Sequence, residues 1–479
     1  MVQALPADQD PTSKKKVAIG LWAVFTAYFA FYFFINGINI AQPKMVEEFN
    51  GMALFAWLIA LPALGSAVAT LLFGKLSDMY GRRSILLISL GLFLVGAIIS
   101  VFSTSMAFAI VARVILALGQ GALAPLCFSV IGDLFEPVVR AKWSGMLNLP
   151  AGIAATIAPA LGGILTDSSL GWRGLFWICV PILLVAGGLV AAGVPGRQQK
   201  VKQKVDILGI IVMVIASGTL IFGFSWLGGQ GKVGLGISMI IVSIVAWIGF
   251  ITVEKKAEAP ILDLQVLFNR TFITAASSAF MSFFGLLGVM IYSPIFAQSV
   301  MGVSPTVSGT MLTPFSMLMA FMGIPVGFLL AKTKKYKWMY ISGYSALTIA
   351  MSIMWGFTAK TPIWLFVVTT SLVGFGNGFI PTINTLVAQY AVPKRLLGVA
   401  VGAMFFFVMM GMAIAPAILG LAQNSVPDLE AGLKLVFLVG AVAMVVSLLM
   451  ILTIPEVSMD EEVKDKQAPL TKSLPEAAD

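Results

Sequence analysis

Long apolar runs, each cut off by a short polar or charged stretch, follow one another along the whole chain. A helix needs about 20 apolar residues to cross the hydrocarbon core of a bilayer. By that rule the pattern predicts an all-α polytopic membrane protein of fourteen transmembrane helices. They cover 17–41, 51–73, 84–102, 106–131, 143–165, 174–194 and 205–226, then 233–253, 271–296, 306–331, 338–357, 363–389, 398–421 and 433–454. The longest stretch outside them is the tail from Pro455, about 25 residues, too short to fold alone.

Composition agrees: 59% of the 479 residues are hydrophobic and 11% charged, with a mean hydropathy of +0.98. A water-soluble domain this apolar would lack enough polar surface. Charge placement orients the helices. With the N-terminus inside and strict alternation, 24 of the 30 Lys and Arg fall on the inner side and five on the outer: Lys44, Arg173, Lys232, Lys360 and Lys434. Cytoplasmic loops carry such an excess, so both termini are expected in the cytoplasm, and the protein in the plasma membrane of a bacterial or archaeal cell. The net charge of +9 therefore belongs to loops and implies no nucleic-acid partner. The first apolar run ends in no small-residue cleavage site, so it reads as a retained helix. There is no histidine, and Cys127 and Cys179 both lie in apolar runs. Nothing here resembles a disulfide framework, a metal site or a nucleophile with its base. No enzyme activity, metal or cofactor is expected.

The chain repeats itself. Gly119, Gly121, Gly145, Pro159 and Gly163 match Gly376, Gly378, Gly402, Pro416 and Gly420, all at an offset of 257 residues. Small residues are common in membrane helices, but a constant offset is not. The expected organisation is an N-tail 1–16, a six-helix bundle 17–194, an inserted two-helix hairpin with its connections 195–270, a second six-helix bundle 271–454 and a C-tail 455–479.

The decapeptide Gly74–Arg83 carries four charges between two apolar runs and reads as a short turn at the membrane surface. Its Gly74, Asp78, Gly81 and Arg82-Arg83 resemble the loop between helices two and three of the major facilitator superfamily of transporters. Fourteen spans resemble that superfamily's drug:proton antiporter branch. So do Gly171-Trp172-Arg173-Gly174-Leu175-Phe176 and the exporter-like Ala158-Pro159 with Gly162-Gly163, where Ala158 replaces a usual Gly. The resemblance implies a gate made by Gly74, Asp78, Gly81, Arg82, Arg83 and Asp133. Asp78 would face a helix N-terminus near Gly398, and Arg82 would pair with Asp133. The plainer alternative is that these charges only set topology.

Arg113 is the one cation placed within a helix, where a charge is costly and usually faces a water-filled cavity. Snorkelling to the outer surface is the alternative. Gln120, two turns on, shares its face. Asn36, Asn39, Asn148, Tyr292, Asn377 and Asn384 are further candidates for lining a substrate path, or for bonding helices together. Tyr28, Phe31, Tyr32, Phe405 and Phe406, with Met409 and Met410, could make an adaptable apolar surface, though stripes of this kind are more often packing or lipid contact. Antiporters of the resembled branch usually carry an acid in the first helix, nine residues before its Pro. Here the Pro is Pro43 and that position is Phe34. Asp133 and Glu136 remain as proton-coupling candidates. The expected function is a monomeric secondary transporter, moving a small amphiphilic molecule by alternating access and embedded in membrane lipid, with protons coupled by resemblance. Neutral or anionic substrates are expected over cations. Lipid or organic-anion transport without proton coupling is one alternative; a non-transporting membrane sensor or scaffold is another.

Overall fold

The computed structural model describes residues 11–51, 54–135, 137–196, 206–227, 233–257, 262–303, 305–392 and 396–455. Among these residues nineteen α-helices occur in this order: α1 Pro11–Glu48, α2 Phe55–Tyr80, α3 Arg82–Val101, α4 Met106–Leu134, α5 Pro137–Met146, α6 Asn148–Asp167, α7 Arg173–Gly193, α8 Ile207–Leu227, α9 Val233–Glu254 and α10 Leu264–Leu267. There follow α11 Arg270–Leu287, α12 Ser293–Ile295, α13 Pro305–Met311, α14 Thr313–Phe321, α15 Gly323–Thr333, α16 Lys337–Trp355, α17 Ile363–Tyr390, α18 Leu397–Asn424 and α19 Leu429–Leu452. Among the described residues, 12 helical segments are long and apolar enough to cross a membrane. The remaining two predicted spans are helical as well. The apolar part of α8 is Leu208–Phe224, shorter than the rest, and α16 has 19 residues interrupted by Ser and Tyr. The outer surface carries large exposed apolar side chains such as Ile164, Val245 and Trp364. Water would not tolerate a shell of this kind, but lipid does. This is a multi-pass membrane protein.

Prolines divide several of the predicted rods. A proline lacks the N–H that its i−4 carbonyl needs, but it is tolerated in the first turn of a helix. The predicted 143–165 helix is two helices parted at Leu147, so that Pro150 falls in the first turn of α6. The predicted 306–331 helix is three, parted at Leu312 and Met322, each shortly before a proline. Around Pro294 the rod from Arg270 to Val300 widens into two π-helical stretches, Gly288–Tyr292 and Phe296–Val300. The charged decapeptide also differs from expectation. It is no loop: α2 continues helically to Tyr80, and the chain turns on Gly81 alone, at φ 92°, before α3 begins at Arg82. The adjoining ends of α2 and α3 tolerate Asp78 and Arg82 there because the two pair with each other.

Buried side chains form two clusters. One draws mainly on α1–α7, with Phe34, Phe93, Phe128 and Phe176 inside it; the other mainly on α11–α19, with Phe272, Tyr340, Tyr344 and Phe437. A few residues cross over. Leu397, Val401 and Phe405 of α18 pack into the first cluster. Ala67, Val68 and Leu71 of α2 and Ala141 of α5 pack into the second. The pair α8–α9 stacks beside these, with α8 against α2 and α18 and α9 presenting Ile237, Ile241 and Ile248 outward.

Close helix approach rests on glycine. A Cβ at Gly96 of α3 would overlap the Leu116 backbone of α4, whereas one at Gly91, on the same helix, would meet nothing within 4 Å. Overpacking of this kind costs about 1–3 kcal/mol. Gly96→Ala is therefore expected to lower the melting temperature of the purified protein. Gly91→Ala should leave it unchanged or raise it, since Ala is the better helix former.

Candidate functional site

Two glycine-built helix crossings between the α1–α7 and α11–α19 halves share one geometry. Where α2 meets α18, a Cβ on Gly402 would lie 2.5 Å from the Thr70 carbonyl oxygen, and one on Gly74 2.7 Å from that of Gly398. Where α5 meets α15, a Cβ on Gly145 would lie 2.5 Å from the Gly323 carbonyl oxygen, and one on Gly327 2.8 Å from that of Ala141. The positions correspond through the repeat. Gly145 and Ala141 precede Gly402 and Gly398 by 257 residues, and Gly74 and Thr70 precede Gly327 and Gly323 by 253. With no side chain between them the backbones touch, which maximises van der Waals contact in an apolar medium.

The first crossing carries charges. Asp78 accepts from the backbone N–H of Gly398 through Oδ1 at 3.1 Å and of Val399 through Oδ2 at 2.9 Å. These are orphan amides in the first turn of α18, where the helix dipole also favours a carboxylate. Arg82 pairs with Asp78 on one side and donates through Nε to Asp133 Oδ2 at 2.9 Å on the other. Arg82 also donates to the Ser77 hydroxyl. Asp78 and Arg82 keep only 12% and 10% of their side chains exposed, against 40% for Asp133. Taking away one member of so enclosed a pair strands the other, at a general cost of about 3–5 kcal/mol. Arg83 stands half-buried beside Arg82 at the start of α3. Glu136 lies outside the described residues.

The second crossing carries an amide. Asn148, the first residue of α6, donates through Nδ2 to the Gly145 carbonyl, three residues back on α5, and to Thr382 Oγ1 of α17, both at 3.0 Å. Short polar side chains commonly bond a nearby backbone group in this way where a helix breaks. Arg113 serves a carbonyl on another helix. Its Nη1 lies 3.5 Å from the carbonyl of Leu58 on α2, four residues before Pro62, whose missing N–H leaves that carbonyl without its helical donor. Arg113 is buried, and its Nε finds no hydrogen-bond partner. Leu58 and Gly74 are 16 residues apart on α2, so Arg113 sits about 24 Å from the charged crossing, at the opposite end of the bundle.

The other candidates do not converge on one point. Gln120 donates to the Phe31 carbonyl of α1 at 3.2 Å, within the first half. Asn36 and Asn377 donate to carbonyls of their own helices, Tyr32 at 2.7 Å and Val373 at 3.1 Å. Asn384 accepts from the Tyr340 hydroxyl between α17 and α16. Tyr292 is buried in a π-helical stretch, against Gly420. The side chain of Asn39 lies outside the described ones. Among the described residues no group of three or more potential ligands is placed to hold a metal.

Thr382 and Gln389 leave no mark in the sequence. Thr382 bridges the halves but looks like any helical Thr. Gln389 of α17 donates to the Phe128 carbonyl of α4 at 3.3 Å, also between halves. Rings continue that contact: Tyr28, Phe128 and Phe405 stand in series with centroids 5.7 and 5.6 Å apart, joining α1 and α4 to α18. At the far end Glu48 of α1 takes a hydrogen bond from the Trp172 indole at 2.6 Å and an ion pair from Arg173 at 2.8 Å. Arg173 also donates to the Val101 and Ser103 carbonyls at the end of α3.

Comparison with known proteins agrees with this architecture. Residues 24–416 match the family profile described as Major Facilitator Superfamily. The chain is 30% identical over 391 residues to the multidrug transporter protein MdtP of Bacillus subtilis (strain 168), covering 81% of this chain and 72% of that one. It is 32% identical over 393 residues to multidrug resistance protein 3 of the same organism, covering 81% and 76%. In shape it is similar to the proton:xylose symporter XylE, with a TM-score of 0.67 over 94% of this chain and 99% of that one at 15% identity. With its glycine-built crossings, its charged α2–α3 turn and these relatives, the chain belongs to the Major Facilitator Superfamily of membrane transporters.

Proposed function

We propose that this protein is a fourteen-span exporter of the drug:proton antiporter type. In this reading α8 and α16 also cross the membrane, α8–α9 forms an inserted hairpin, and six-helix bundles lie on either side. The bundles rock about a central path, and the end carrying Gly74–Arg83 faces the cytoplasm of a bacterial cell, as do both termini. The observation that carries the reading is the Asp78 carboxylate seated on the amides of Gly398 and Val399. It bolts one half to the other at a single end, which is what a closed gate must do. The relatives named as multidrug transporters favour small amphiphilic organic substrates, and the cation excess on one side favours the orientation.

Proton coupling attaches to the same cluster. Of the two candidate acids, Asp133 is the one the described residues place: it pairs with Arg82 and is the most exposed acid of the lock. Substrate charge attaches to Arg113. A buried guanidinium with an unused N–H, and with Phe34 in place of a central acid, suits neutral or anionic molecules over cations.

Two outcomes are expected. Asp78→Asn keeps the shape of the bolt and removes its charge. It should cut efflux of a fluorescent amphiphile at least tenfold in cells when normalised to the membrane abundance of the protein; full efflux would reduce the cluster to a topology signal. In a thermal-shift series, neutral and anionic amphiphiles should stabilise the purified protein by mass action. Arg113→Ala should remove the anionic response and spare the neutral one. Unaltered anion stabilisation in a protein of lowered melting temperature would instead make Arg113 a clamp on the Pro62 kink.

A further inference from the structure

The repeat makes the two crossings comparable position by position, and two of their differences bear on how the halves are joined. The position matching Asp78, 253 residues on, is Ala331, so the α5–α15 crossing holds no carboxylate of its own there. The chain still turns alike just beyond: Lys334, matching Gly81, has φ 57°. The second difference runs the other way. Asn148 matches Phe405 at the 257 offset, and Thr382 matches Pro125. At the charged crossing that pair of positions is apolar, and Phe405 lies against Phe128 with centroids 5.6 Å apart. At the α5–α15 crossing it is a hydrogen bond between the halves.

We infer that the Asn148–Thr382 hydrogen bond is the latch of the α5–α15 crossing, a neutral counterpart to the ionic bolt on α2–α18. This rests on the alternating-access reading above. Three details support a latch over incidental packing. Asn148 is aimed in advance: its amide nitrogen is already bonded to the Gly145 carbonyl of its own segment, so little rotamer freedom is lost when it also finds Thr382. It has a slot: a Cβ at Gly323 of α15 would collide with the Asn148 amide. It is cheap to break and remake, because a neutral hydrogen bond nets far less than a desolvated ion pair. When the crossing parts, the Asn148 N–H and the Thr382 hydroxyl are released towards the path between the halves. The two residues thus hold the closed state and become free polar groups in the open one. The α5–α15 contact is supplemented by Lys142, whose Nζ stands 4.7 Å from the centre of the Phe328 ring across the same crossing.

The test is a spin-label distance measurement on the purified full-length protein, with Val139→Cys on α5 and Lys332→Cys on α15 labelled in a background where Cys127 and Cys179 are replaced by alanine. Asn148→Ala and Thr382→Val are expected each to raise the ratio of the long-distance to the short-distance population about fivefold, the effect of one neutral hydrogen bond. Their combination should do no more than either alone, because the bond can be lost only once. Thr382→Val keeps side-chain shape, so it guards against a packing artefact of Asn148→Ala. A ratio unmoved by either variant, in a protein where Asp78→Asn or a bound amphiphile does lengthen the distance, overturns the latch and leaves alternating access standing. Additive effects of the two variants also overturn it. A distance that no variant and no amphiphile changes overturns the alternating-access reading itself.

Discussion

The closest contacts between the two halves are made by bare backbone, at two crossings built on glycine. In a lipid environment apolar side chains gain nothing from leaving lipid for protein, so helices must hold one another by close packing and hydrogen bonds. Gly74 and Gly402 on one side, and Gly145 and Gly327 on the other, let carbonyls of the partner helix approach within 2.5–2.8 Å of where a Cβ would stand. Such contacts are tight when made and carry little polar cost when broken. That suits surfaces which must separate and meet again. Directional strength is added at separate points: a carboxylate on free amides at α18, and an amide on a hydroxyl at α17.

Breaks in the helices draw in much of the polar chemistry that the apolar sequence otherwise lacks. Inside α2, Pro62 leaves the Leu58 carbonyl without its N–H, and Arg113 faces that carbonyl. Between α5 and α6 the chain parts at Leu147, and Asn148 bonds back across the break to Gly145. Pro150 sits in the first turn of α6, where a missing N–H costs least. An Arg and an Asn thus each have a local structural anchor while keeping bonding capacity for something else: the unused Nε of Arg113 and the Asn148 contact with Thr382. The break at Leu147 also lets α5 lean onto α15 while α6 follows a different line beside α14.

The fold was largely legible in the chain. Apolar run length locates the helical rods within a few residues, and the 257-residue offset announces a repeat before any coordinates. What periodicity could not see was where those rods break. Pro62 stays inside one helix while Pro150 opens a new one, and only the surrounding packing separates the two cases. The same blindness spread a turn made by Gly81 alone over a whole decapeptide: four charges argue for water until Asp78 and Arg82 are seen to neutralise each other. The Asp78–Gly398 and Arg82–Asp133 contacts could be named from the motif. The Asn148–Thr382 bond could not, since a lone Asn and a lone Thr in apolar helices carry no signal. Gly327 lay out of reach too: it matches Gly74 at 253 residues, whereas the 257-residue offset carries Gly74 to Ala331. The polar side chains expected to form one lining bond separately where they are described. Asn36 and Asn377 stay within their own helices, because in hydrocarbon an Asn satisfies itself with the nearest carbonyl first.

Movement at the glycine crossings is the central requirement, and a reversible cross-link tests it most directly. Lys142→Cys and Phe328→Cys would place two thiols on opposite sides of the α5–α15 crossing, where the native side chains already meet. The purified variant, reconstituted in liposomes, would be assayed for transport of a fluorescent amphiphile before oxidation, after oxidation and after reduction. The account predicts that transport stops when the disulfide forms and returns when it is reduced. Transport at an unchanged rate with the crossing covalently shut would contradict it.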